Sequence, residues 1–93
     1  MCAALIGGMD RLRQEYIETA KDMGVALKVF TGQERSIRSR LGKPDVMIVC
    51  TGKVSHPIRA EAVKHAKACN IPLLMIHSPG VSSLRNCFEE NAP

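Results

Sequence analysis

Three short stretches hold most of the residues able to do chemistry: GGMDR (7–11), CTGKVSHP (50–57) and HSPGVSS (77–83). In the second, Thr51 and Lys53 can meet an oxyanion, and Ser55 or His56 can face the first turn of a following helix. His56 can bind a metal, accept a proton or hydrogen-bond a ligand near neutral pH. The plainer alternative gives Ser55 a helix cap and leaves His56 in solvent. Cys50 has two readings as well. It fills the core as a small apolar side chain, or Lys53 and a nearby helix terminus favour its thiolate. GGMDR matches neither the GxGxxG dinucleotide pattern nor the GxxxxGK[ST] phosphate loop. It does place Gly7 and Gly8, which allow close backbone approach, just before a helix start whose amides suit an anion, and Arg11 adds a forked charge. The alternative there is a tight turn capped by Asp10. In the third stretch His77 ends an apolar run, and Ser78, Ser82 and Ser83 supply hydroxyls near another helix start.

These residues have meaning only if the chain brings them together. CAALIG reads as a first strand ended by paired glycines. In DRLRQEYIETAKDMG, Leu12, Tyr16, Ala20 and Met23 recur at helical spacing, with Asp10 as the expected cap and Gly24 as the left-handed stop. VALKVF is a second strand. ERSIRSRL suits a short helix through Ile37 and Leu41, and DVMIVC is the clearest strand of all. A helix over 57–69 follows, opening at Pro57, with Ile58, Ala62, Ala66 and Cys69 on one face. IPLLMIH gives a fourth strand, and SLRNCFEE a last helix for Ser82 or Ser83 to cap.

Near-continuous apolar strands alternating with helices imply a parallel sheet covered on both faces. Right-handed crossovers in so short a chain favour strand order 2-1-3-4, a small Rossmann-like three-layer α/β/α domain spanning 1–93 with a loose tail at 91–93. The loops at 7–11, 31–34, 50–57 and 77–83 then gather at the carboxyl edge of the sheet. The first and third flank the order reversal, where such sheets take ligands. His77 lies beside Cys50 or His56, since neighbouring strands are roughly 5 Å apart. Cys50, His56 and His77 make an acceptable soft-metal set. Cys2, Cys69 and Cys87 fall towards the opposite edge, so an iron–sulfur site shared with Cys50 is not expected within one chain.

Composition narrows the function classes. The chain has 93 residues, 45% hydrophobic and 3% aromatic, with a formal charge of +4. That hydrophobic fraction supports a packed core. No stretch approaches the roughly 20 apolar residues of a membrane span, and the opening lacks a basic leader, so a cytoplasmic location is expected. The charge suits an anionic ligand, whereas nucleic acid finds neither a dense basic block nor repeated aromatic platforms. The four cysteines show no CxxC spacing, and reduced thiols are expected. Arg35, Arg38, Arg40 and Lys43 read as a solvated basic face before an acidic-partner site. A domain this small gains from added burial at an edge strand, so a homo-oligomer, with a dimer favoured, is expected.

The stretch from DVMIVCTGKVSHP to SSLRNCFEE, together with ALIGGMDR at the start, resembles the bacterial domain-of-unknown-function family numbered 2325. The resemblance covers nearly the whole chain and matches TGQERSIRSRLGKP only loosely. It implies a Rossmann-like domain, with site positions on Gly7, Gly8, Asp10, Arg11, Ser55, His56, Ser82 and Ser83, and implies no reaction or cofactor. The resulting expectation is an accessory or regulatory domain binding a small anionic ligand or nucleotide at the carboxyl edge. The alternative is a metal- or redox-linked module on Cys50, His56 and His77. A small hydrolase or transferase ranks third, since no carboxylate is clearly directed into the cleft.

Overall fold

A computed structural model describes residues 1–31, 41–52 and 54–91. Strand β1 (Cys2–Ile6) leads through a 3-10 turn (Asp10–Leu12) into helix α1 (Arg13–Asp22) and back to β2 (Ala26–Phe30). After the second crossover come β3 (Val46–Cys50), α2 (His56–Cys69), β4 (Leu73–Ile76) and α3 (Val81–Asn91). The sheet is wholly parallel in the order β2-β1-β3-β4, as the alternation of elements requires. The helix expected over ERSIRSRL, with Arg35, Arg38 and Arg40, falls outside the described residues apart from Leu41. Lys53 lies outside them too.

β3 shows why the centre of such a sheet must be apolar throughout. Val46 is 6% exposed and Met47, Ile48, Val49 and Cys50 are 0% exposed, because β1 and β4 flank the strand and helices cover both faces. Alternate residues feed two cores. On one side Ala3, Leu5, Val46 and Ile48 meet Tyr16 and Ala20 of α1 and Leu84, Cys87 and Phe88 of α3. On the other, Ala4, Ile6, Met47 and Val49 meet Leu41 and Ala62 and Ala66 of α2. Full burial of side chains this size stabilises by about 1.5–3 kcal/mol each. The expected helix faces hold: Leu12 and Met23 pack half-buried beside Tyr16 and Ala20, and Ile58 and Cys69 beside Ala62 and Ala66. Gly24 stops α1 with φ +77.

The helix starts differ from expectation. Asp10 is not a cap, for neither Met9 nor Leu12 at the cap positions makes a side-chain cap bond, and the Asp10 carboxylate accepts from Arg13 and from Thr31 instead. Ser55 has the extended backbone of an N-cap, yet its hydroxyl caps nothing. Pro57 gives the reason: it removes the second N–H of the helix, one of the two that a cap oxygen could reach. Ser82 and Ser83 lie inside the first turn of α3, where the Gly80 carbonyl accepts from Ser83 and Leu84 N–H, so neither serine caps it. Helix α3 runs to Asn91, the first residue of the expected tail, and residues 92–93 lie outside the described residues.

Candidate functional site

The order reversal lies between β1 and β3, so the turn after β1 and the loop after β3 face each other at the carboxyl edge. The first wall is built on backbone freedom. Gly7 and Gly8 have φ of +95 and +90, and Gly7 N–H donates to Phe30 C=O at 2.7 Å. Met9 N–H donates to the Tyr16 hydroxyl at 3.1 Å. Two amides of this turn are thus committed internally, whereas those of Gly8, Asp10 and Arg11 meet no acceptor among the described residues. Arg11 is exposed and reaches, among the described residues, the Met9 sulfur at 3.9 Å.

Sequence reasoning overlooked Arg13 and Thr31. The Arg13 guanidinium donates to Val29 C=O at 3.1 Å, to Thr31 Oγ1 at 3.2 Å and to Asp10 Oδ1 at 3.4 Å. Asp10 is therefore engaged with a cation and is no bare charge at the mouth. The Asp10 and Arg13 side chains are 61% and 41% exposed, so the pair orients more than it stabilises. Only the end of β2 reveals this role of Arg13, which local spacing could not.

The second wall is the 50–57 loop. Cys50 is fully buried, and its thiol points to the His77 carbonyl at 3.8 Å. The β3–β4 ladder continues past both strand ends, with Thr51 N–H donating to Ile76 C=O at 2.7 Å and Gly52 N–H to His77 C=O at 3.1 Å. Gly52, also overlooked, permits that approach: a Cβ on it would overlap the His77 carbonyl oxygen. The zipped loops bring His77 Nδ1 to 3.4 Å from Thr51 Oγ1. The expected neighbours of His77 are Cys50 or His56; its ring lies beside Thr51, while its backbone carbonyl meets the Cys50 thiol. Among the described residues, however, no three His, Cys, Asp or Glu side chains gather to hold a metal ion, so Cys50, His56 and His77 are not assembled into one.

Ser55 and His56 are exposed at the start of α2. The first turn of that helix carries no acidic side chain, and half-buried Arg59 in the same turn reaches the Met75 sulfur at 3.9 Å. A cation near the positive end of a helix whose first turn carries no acid adds to the positive charge at this end. Ser83 belongs to a different feature. With His77, Ser78, Asn86 and Glu90 it lines a shallow groove of about 400 Å³ on the outer side of β4. Ser82 is exposed beside it on α3. At the far side of the molecule His65 Nε2–H donates to Gly42 C=O at 2.6 Å, a structural role.

No cysteine is in a disulfide. Burial, and then the Glu90 carboxylate, push the Cys87 thiol above its ordinary value near 9.0, so it stays protonated at neutral pH. Alkylation of the native protein by iodoacetamide should begin at exposed Cys2, with Cys50 and Cys87 modified only on unfolding. Peptide mass mapping reads the order, and early labelling of Cys50 would contradict its placement in the core.

Among the described residues, no helix is long and apolar enough to cross a membrane. No curated protein and no solved structure matches the chain. A family model does match, over residues 2–91, which takes in every element from β1 to α3 and both walls of the edge cleft. The chain belongs to DUF2325, a family described as uncharacterized proteins conserved in bacteria.

Proposed function

We propose that the chain binds a small anionic ligand, a phosphate-bearing nucleotide among the candidates, at the carboxyl edge between β1 and β3, in a regulatory or accessory role. The observation that carries this reading is the bare start of α2. Ser55 makes no cap bond, Pro57 removes one donor, no acid lies in the first turn, and Arg59 adds positive charge. Among the described residues the N–H groups of His56 and Ile58 have no acceptor, which suits them to an external one. Across the reversal, the glycine turn offers the amides of Gly8, Asp10 and Arg11 with the Arg11 side chain. Thr51 and His56 supply the polar contacts nearest the 50–57 side. Catalysis by Cys50 has less support, because its thiol is fully buried and points to the His77 backbone carbonyl.

Ser55→Asp separates this reading from a plain helix start. An added carboxylate at the cap should stabilise the protein by about 0.5–1 kcal/mol, because it supplies the missing cap acceptor and complements the dipole. It should also repel the ligand, weakening inorganic phosphate binding by about tenfold or more as read by amide shifts. Stabilisation with phosphate affinity unchanged, or no phosphate response at millimolar concentration in the unaltered protein, would count against an anion at this edge.

A further inference from the structure

Tyr16 is 1% exposed and by position belongs to the core, on the face where α1 and α3 pack. Its hydroxyl is placed otherwise. It accepts from Met9 N–H at 3.1 Å in the turn after β1, and it donates to the Pro79 carbonyl in the turn after β4. The ring also supports Gly8, where a Cβ would stand 3.1 Å from the phenol oxygen. β1 and β4 are not neighbours, since β3 runs between them. The phenol therefore bridges past the end of β3. Apolar packing needs only the ring; the hydroxyl adds a tie between two loops distant in sequence.

We propose that Tyr16 is the positioning residue of the edge cleft, its hydroxyl locking the turn at 7–9 to the turn at 78–80 so that an anion taken up at the first is felt at the second. The lock holds the Met9 amide inward and thereby fixes the directions of the neighbouring Gly8 and Asp10 amides. Beyond Pro79, the Gly80 carbonyl accepts from Ser83 and Leu84 N–H, so movement of this turn reaches the first turn of α3. The groove beside β4, which Ser78 and Ser83 line, opens from the same turn. The ligand half of this inference rests on the anion reading above. The tie itself does not.

The test uses the full chain, labelled for amide NMR, as the native protein and as Tyr16→Phe, with inorganic phosphate as the probe. Tyr16 is the sole tyrosine and there is no tryptophan, so absorption and fluorescence on the long-wavelength side of the phenylalanine band report this phenol alone. In Tyr16→Phe the Met9 amide should exchange about tenfold faster, the loss of roughly one buried hydrogen bond. In the native protein phosphate should shift Gly8 and Gly80 with one dissociation constant and alter the tyrosine spectrum. Tyr16→Phe should bind phosphate about tenfold more weakly and leave Gly80 unmoved. Unchanged Met9 exchange overturns the tie. Gly8 titrating while Gly80 and the tyrosine spectrum stay still overturns the coupling. Should phosphate shift no amide at all, the ligand reading falls and with it the ligand half, whereas faster Met9 exchange in Tyr16→Phe still upholds the tie. Should the variant not fold, the native tyrosine spectrum with and without phosphate decides.

Discussion

Replacing Tyr16 with alanine should lower the stability of the protein by about 3–5 kcal/mol, the cost of removing a large buried ring from a packed site. The residue is the largest of those fully buried, and it touches both the α1–α3 core and the glycine turn. A chain of this length has about 5–14 kcal/mol in all, so the variant should be near the limit of folding at ambient temperature. Urea unfolding measures the loss. Tyr16→Phe keeps the ring and should cost about 1–2 kcal/mol, the share of its hydrogen bonds. If the two variants lose the same amount, the ring contributes little and the account of the core is wrong.

Gly52→Ala should cost about 2–4 kcal/mol, more than an exposed loop glycine ordinarily does, because overpacking and a lost ladder hydrogen bond act together. The methyl group would meet the backbone oxygen of His77, not the yielding end of a side chain, so the β3 exit or the β4 exit must move. Either movement breaks the Gly52–His77 hydrogen bond and carries the His77 ring away from Thr51. Gly24→Ala is the comparison. Nothing lies within 4 Å of a Cβ at Gly24, and its penalty comes from φ +77 alone, about 1 kcal/mol. Thermal unfolding of the two variants, with the His77 ring signals followed by NMR, distinguishes a steric cost from a conformational one. Equal losses would mean that the two loops slide apart at no cost.

The architecture was legible because it follows from patterns that tertiary contacts reinforce. VMIV is uniformly apolar because both faces of β3 are covered, and Tyr16 and Ala20 repeat at helical spacing because that face meets the sheet. The strand order followed from alternation and crossover handedness, and it located the cleft. Positions of individual polar groups were less legible. The cap rule assigned Asp10 from its neighbours in sequence, but Thr31 and Arg13 compete for the carboxylate, and Thr31 becomes a neighbour only when β2 pairs with β1. Gly52 looks like any loop glycine until β4 brings the His77 carbonyl against it. A lone tyrosine on an apolar face reads as core, which is true of its ring and incomplete for its hydroxyl. The clue was available, since a buried phenol needs a polar partner and α1 begins at the loop edge. Arg59 gave no such signal, being one cation among many on a polar helix.

The place of the cleft also has a kinetic meaning. Its walls meet only when β1 pairs with β3, and that pairing, Ala3 opposite Val46, closes a longer stretch of chain than Ala3 with Leu27 or Met47 with Leu73. The Tyr16–Pro79 bond spans 63 residues, further still. Closing long loops is the slow part of assembling a parallel sheet. The βαβ units at either end can form early, but the carboxyl edge between β1 and β3 belongs to the last contacts made. A partly folded chain therefore has helices and paired strands yet no cleft, and the closed edge is a late mark of the completed fold.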